Sequence, residues 1–438
     1  MRALTDLDFN ADSRELDMRL DIYFDSTPLE VTTGDYLIDI TWLEEGSADS
    51  SNPFGAVSSD ELSFRLYNDN GIFSPTNITS PYFGKIRKGV KVIPYIRAKD
   101  TDWQQLGVYY VSEWEAAVTG TYADITANDV WYQIFSSTSP NYPVQLDVSF
   151  KEALTDIYSL MGFTVQVSDE LLERLPVSFI TGKPVEFTQE MLTGALAFNT
   201  CTKEGTPIIE PFITHRPIRA TLTDSDQIKA INAKQSTTKT FDGVELAYNI
   251  PNYTEVQKII DITDYMVPVG RSKLLNVNTS MSPIWKYVLI SNRSTLEKVS
   301  ITDYTASAHL VSFELLNEAP APVAMSLTMY GIPVVLTEVV LADDADALLK
   351  ISNKYIQNNN YATRYKNILE EVVSNPIPFL ELSIRGNPLL NIGDRIKIVS
   401  SKYDITFDGV IQRMHYTYTG GLTCEMVLMN SAILEGFV

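Results

Sequence analysis

In residues 60–67 (DELSFRLY), Leu62, Phe64 and Leu66 alternate with polar neighbours. A period of two puts all three on one face of an extended strand, and no helix gathers them that way. The pattern returns at short spacing in 90–98 (VKVIPYIRA), 107–114 (GVYYVSEW) and 121–127 (TYADITA). Asn68-Asp69-Asn70-Gly71 follows the first of these, and Asn-Gly is a tight-turn signal. Pro94 has no N–H for a ladder, so its strand is predicted to be an edge or to bulge there. Short strands separated by turns restrict residues 1–145 to a sandwich or barrel.

The period then changes. Residues 149–161 (SFKEALTDIYSLM) place Phe150, Ala153, Leu154, Ile157, Leu160 and Met161 on one helical face. Ser149 and Glu152 make a capping-box pattern, and Gly162 stands where a left-handed residue ends a helix. Further helices are predicted at 189–198, 225–231 and 345–357. Residues 361–373 extend the last one, with a break plausible at Asn358-Asn359-Asn360. Strand character returns at 238–248. Residues 251–341 read as strand and loop, with strands at 311–316, 324–330 and 333–341. Four final strands are predicted at 379–385, 395–400, 406–414 and 421–429. Residues 47–51 (SADSS) read as an exposed loop.

Apolar residues form 45% of the 438, enough for packed cores. The 34 basic and 55 acidic residues give a net charge of −21. That excludes a basic footprint for sequence-specific nucleic-acid binding and disfavours an anionic membrane surface. Two readings remain: a solubilising surface, or one that nucleic acid must pass without sticking. One basic patch, Lys85, Arg87, Lys88 and Lys91, reads as a solvated loop or a contact with an acidic neighbour chain; nucleic-acid binding is the alternative. No signal-peptide core and no run of about 20 apolar residues is present, so neither export by a standard signal nor membrane anchoring is expected.

The chemistry-bearing residues are scattered. Cys201 and Cys424 are too few for a disulfide framework or a four-ligand zinc site, and read as buried thiols made in a reducing cytoplasm. His215, His309 and His415 have no acidic or cysteine neighbour at metal-ligand spacing. Asp343-Asp344-Ala345-Asp346 lacks the glycine and distal glutamate of a calcium loop, and suits the positive end of a following helix. Nucleophile, P-loop and dinucleotide motifs are absent. No catalytic, cofactor-binding or metal-ligating residue is expected, and no cofactor.

The run 62–96 (LSFRLYNDNGIFSPTNITSPYFGKIRKGVKVIPYI) resembles the first barrel of phage baseplate and tail-hub proteins, which have relatives in tailocins and the type VI secretion spike. The likeness lies in a strand, Asn-Asp-Asn-Gly, Phe73-Ser74-Pro75, Ser80-Pro81-Tyr82, the Gly84-Lys85-x-Arg87-x-Gly89 stretch and a second strand. Arg385-Gly386-Asn387-Pro388, Gly393-Asp394 and residues 395–399 resemble the family's approach to its last barrel strands. Residues 240–246 (TFDGVEL) resemble the start of its second barrel.

The resemblance implies a mainly β chain with α+β insertions and two tube-type β-barrels. The first barrel would span 1–145, and the second 205–250 plus 376–438. Inserted modules would occupy 146–204 and 251–375. It further implies a homotrimer at a virion tail tip or baseplate, synthesised in the host cytoplasm. A tail tube or distal tail protein would meet one face, and a spike, fibre or tape-measure protein the other, with DNA present only in transit. With the sequence ending at Val438, the wall-degrading domain that many relatives carry is not expected. A receptor- or carbohydrate-binding tail protein is the rival reading, resting on 23 tyrosines and five tryptophans; a cell-wall hydrolase is the third.

Overall fold

A computed structural model describes residues 2–10, 14–46, 54, 57–212, 216–224, 228–232, 241–280, 283–294, 298–375 and 379–435. The expected loop at 47–51 and His215 lie outside them, as do the ends of the predicted 225–231 and 238–248 segments.

The fold class is mainly β with α+β insertions, as expected. Its largest element is a fourteen-stranded sheet. The first lobe of this sheet runs, in spatial order, Leu29–Thr32, Leu16–Tyr23, Lys91–Ala98, Tyr109–Ala116, Tyr122–Asn128, Glu61–Tyr67 and Leu37–Glu45. The second runs Ile405–Tyr418, Leu422–Asn430, Phe379–Ile384 and Ile228–Asn232. The joint is the Ile405–Tyr418 strand. Its residues 405–410 pair with Arg395–Ser400, while 413–418 pair with residues 40–45 of the first lobe. One strand thus belongs to both ladders. A register shift between Ile411 and Arg413 marks the change of partner.

Alternation decides which face is buried. Leu62, Phe64 and Leu66 point inward, as do Ile40, Trp42, Ile125, Met414 and Tyr416. Trp42 and Tyr416 stack across the joint with ring centroids 4.5 Å apart. Burying each such side chain contributes roughly 1.5–3 kcal/mol. Pro94 does not put its strand at an edge: Lys91–Ala98 pairs along its whole length with Leu16–Tyr23. On the other side the ladder covers 91–92 and 95–96 and breaks between them. The Leu106 amide donates to Pro94 O at 2.9 Å on that side, so the missing N–H faces the break. The Asn68–Gly71 signal forms a 3-10 turn at Asp69–Gly71, with Asn70 and Gly71 both at positive φ.

The helix after the first lobe spans Phe150–Leu160, with the Ser149–Glu152 capping box closed and Gly162 at φ 84°. Its buried face differs from expectation at the last turn. Leu160 is exposed and Met161 half-buried, while Tyr158 is buried and bonds Thr188 Oγ1 through its hydroxyl at 2.8 Å. The helix predicted at 189–198 lies at Pro184–Ala195. Pro184 and the Glu186 carboxylate, which accepts the Lys183 amide at 2.9 Å, start it earlier. Leu196 then turns left-handed, and Ala197–Cys201 is a strand paired with Pro207–Pro211.

Two other helices are corrected. Ile228–Asn232, overlapping the predicted 225–231 helix, is a strand paired with Phe379–Ile384. Leu348–Asn353, inside the predicted 345–357 helix, is a strand parallel to Gly243–Tyr253. Its Leu349 and Ile351 alternate with Lys350 and Ser352, a period of two hidden in good helix formers. The helix that does form, Asn359–Ser374, is capped by Asn358, whose side chain accepts the Tyr361 amide at 2.7 Å. The asparagine run starts a helix instead of breaking one.

Residues 324–330 and 333–341 are one strand, Val323–Ala342. It pairs with Gly243–Tyr253 at its C-terminal end and with Gln257–Val267 and Ile284–Ser294 at its N-terminal end. Gly331 is where it slips between neighbours: a Cβ there would lie 2.8 Å from Ile259 Cδ1 and 2.9 Å from Lys286 O. This part has its own core, built on Ile259, Val311, Phe313, Leu327 and Met329, separate from the main one.

Candidate functional site: the polar face of the shared sheet

The same alternation that buries Trp42 and Phe64 turns a polar face outward across both lobes. Thr423, Thr417, Thr41, Ser63 and Thr126 are successive register partners, so they form one hydroxyl row over five strands. Ser63 Oγ and Thr126 Oγ1 are 3.5 Å apart, and Thr41 Oγ1 donates to Ser63 O at 3.5 Å. Charged rows flank it. Glu425, His415, Leu43 and Glu61 are partners on one side; Asp39, Arg65, Asp124 and Glu115 are partners on the other.

Acids outnumber bases on this face among the described residues. Each guanidinium also has a carboxylate: Arg65 Nε lies 2.7 Å from Asp124, and Arg413 Nε lies 3.9 Å from Glu45. Asp124 pushes the Arg65 pKa up. Glu61, Glu113, Glu115, Glu381 and Glu425 leave the face negative. A face rich in hydroxyls and carboxylates, with its guanidiniums paired to carboxylates, repels phosphates.

Behind the face, at the seam between the first lobe and the Ala197–Pro211 hairpin, lies a buried acid cluster. Asp60 accepts the Glu45 amide at 3.0 Å, and Asp129 caps the Val130–Phe135 helix by accepting the Trp131 amide at 3.0 Å. Both are almost fully buried. Glu44 pairs with Lys203, and Cys201 lies beside Asp129. Together with Tyr109 these groups line a void of about 10 Å³, room for about one water. Burial and the neighbouring carboxylates push Asp60 well above the carboxylate range, and burial raises Asp129 to about 7. Burial and the two aspartates push the Cys201 thiol up, so it is a poor nucleophile. No motif marks this cluster, because its members come from separate segments that only folding brings together.

The other residues singled out in the sequence do not converge. His309 packs its ring edge against Phe179, and burial lowers its pKa. His415 sits in the polar face. Cys424 is a buried free thiol, and Cys201 is free and half-buried. Asp343 does not cap a helix, since a strand follows. It accepts the Val244 amide at 2.7 Å and pairs with Lys366, which holds its pKa down. No group of three or more His, Cys, Asp or Glu among the described residues is arranged to hold a metal. In the basic patch, Lys85 pairs with Asp25 at 2.6 Å, and Lys88 and Lys91 lie over the rings of Tyr132 and Tyr23. No described helix is long and apolar enough to cross a membrane.

No family model and no curated protein matches the chain. Solved structures do. The 43 kDa tail protein of prophage MuSo2 from Shewanella oneidensis is 10% identical, with a TM-score of 0.55 over 95% of this chain and 99% of its own. The tail protein from Neisseria meningitidis MC58 is 9% identical, with a TM-score of 0.55 over 95% of this chain and 98% of its own. The chain therefore shares the fold of these two phage tail proteins.

Proposed function

We propose that the chain is a structural hub of a phage-type tail tip or baseplate. The observation that carries this reading is the polar face, continuous across two lobes through one shared strand. Three chains would place six lobes around a bore, joining a sixfold tail tube to a threefold spike or fibre, with DNA passing along the acidic wall. The lobes would be 1–145 and 205–250 plus 376–438, less the Pro207–Pro211 and Gly243–Tyr253 strands, which pair within the modules 146–204 and 251–375; the modules would face outward. The sheet ends in the Leu29–Thr32 and Ile228–Asn232 strands, and such edges invite a neighbouring chain to extend the ladder. The role is assembly, not catalysis: the most perturbed carboxylates are sealed from substrate.

Light scattering with negative-stain imaging tests the reading. A mass three times that of the chain, in rings with a central hole, is expected; a monomer both alone and with its tail partners overturns it. The bore assignment has its own test. Glu61→Lys with Asp124→Lys should give rings that retain double-stranded DNA at low salt, where the wild type does not. Equal retention would sink the assignment.

The receptor-binding alternative has one specific support: Tyr253 and Trp285 are both exposed, with ring centroids 5.4 Å apart, a platform suited to a sugar face. Glycan-array binding lost in Trp285→Ala would favour it; an array without signal would remove it.

A further inference from the structure

The Ala197–Pro211 hairpin roots Ala197–Thr200 in the core and meets the first lobe at its tip through a chemically uneven contact. Its turn is closed by the Gly205 amide on Thr202 O at 2.8 Å, and it carries Cys201 and Lys203 to the lobe. Neutral bonds hold the surroundings: Trp131 Nε1 donates to Thr200 O at 2.8 Å, Asn199 Nδ2 to Ser58 O at 2.7 Å, and Gln105 Nε2 to Lys203 O at 2.7 Å. The charges between them do not balance. Glu44, Asp60 and Asp129 face one ammonium, Lys203, which is already paired with Glu44.

Among the described residues lining the void, Lys203 is the single cation. Tyr109 lines the same void; the Glu44 charge also acts on Tyr416 and Cys424, and the Lys203 charge on Asp394. Asp129 Oδ2 makes no hydrogen bond of good geometry, the Cys201 thiol being the donor beside it. Two carboxylates sealed in low dielectric with room for about one water cannot both be charged without a large desolvation penalty.

We propose that this seam is a proton-operated latch: the hairpin's tip is clamped on the first lobe while the Asp60–Asp129 pair holds a proton, and lifts when both carboxylates are charged. The inference goes beyond the hub reading and does not depend on it. The sign follows from the raised carboxyls. The folded pair keeps a proton that the unfolded chain gives up in the ordinary carboxylate range, so the clamp is strongest in acid and weakens as pH rises through neutrality. The displaced part would be the hairpin's tip, residues 201–206, which carries Cys201 and Lys203, while Ala197–Thr200 and the helix Pro184–Ala195 stay in the core.

Hydrogen exchange of the full chain at about pH 6 and about pH 8.5, with labelling times scaled for intrinsic rates, is the test. In the wild type, amides at 201–206 should exchange roughly tenfold faster at the higher pH, with residues 422–430 changing less than about twofold. Asp129→Asn keeps a capping oxygen but no charge, and should flatten the hairpin response to under about twofold. Asp60→Asn gives the same readout should the first variant fail to fold. An unresponsive wild-type hairpin, or an equal response in a folded variant, overturns the latch.

Discussion

Arg14 ties the two ends of the chain together, and replacing it should open the joint locally. Its guanidinium donates to Arg385 O at 2.9 Å, Gly386 O at 3.0 Å and Leu422 O at 3.1 Å, reaching the last strands from just before the first. A hydrogen bond from a charged donor is worth about 1.5–3 kcal/mol, so three bonds amount to roughly 4–9 kcal/mol. Two effects reduce this. Burial and the neighbouring Arg385 disfavour the charge, lowering the Arg14 pKa. A hollow of about 320 Å³, lined by Arg14, Arg385 and residues 419–423, lets water take over part of the carbonyl bonding. Arg14→Met keeps much of the stem and its packing, so the expected loss is about 3 kcal/mol. If the opening is local, that corresponds to roughly 150-fold faster amide exchange at 385–387 and 422–424. Arg14→Lys, with one compact donor group, should recover about a third of the protection. Exchange within about twofold of wild type in Arg14→Met, or acceleration spread evenly over the sheet, would refute the clamp.

Three further outcomes follow from named contacts. Asp129 rises from an ordinary 3.8 to about 7, which is about 4 kcal/mol at 1.36 kcal/mol per unit, present below pH 4 and lost as pH rises to 7. Only the part between pH 5 and pH 7 falls in a pH 5–8 window, and sharing with Asp60 reduces it further, so urea unfolding should show Asp129→Asn gaining about 1–2.5 kcal/mol on the wild type between pH 5 and pH 8; no relative gain contradicts the burial argument. Gly71→Ala should cost about 3 kcal/mol by urea unfolding, because φ is 67° and the new Cβ would lie 2.5 Å from Val118 O. Ser149→Ala should cost about 1 kcal/mol by the same measurement, with Ser149→Asp close to wild type.

The strands of the large sheet were legible because each buries one face and wets the other, so period two is written directly into 60–67 and 121–127. The Phe150–Leu160 helix was legible because its signal is local, a capping box at one end and a glycine at the other. Leu348–Asn353 and Ile228–Asn232 were misread for a common reason. Both are short strands whose partners, Gly243–Tyr253 and Phe379–Ile384, lie far away in sequence. Residues such as Ala345, Leu348, Leu349 and Lys350 carry a helix propensity that distant pairing overrides. The candidate site divides along the same line. Its acidity was visible as a net charge without an address. Its geometry was not, because the hydroxyl row exists only once Thr417 is set beside Thr41, more than three hundred residues away. That pairing requires the Ile405–Tyr418 strand to change partners at the Ile411–Arg413 shift, and one residue of slip there would turn Thr417 and His415 inward and Tyr416 outward. The Trp42–Tyr416 stack penalises that slip, since it would expose Tyr416 and leave Trp42 facing a threonine. The buried aromatic pair therefore sets the register of the polar face in front of it.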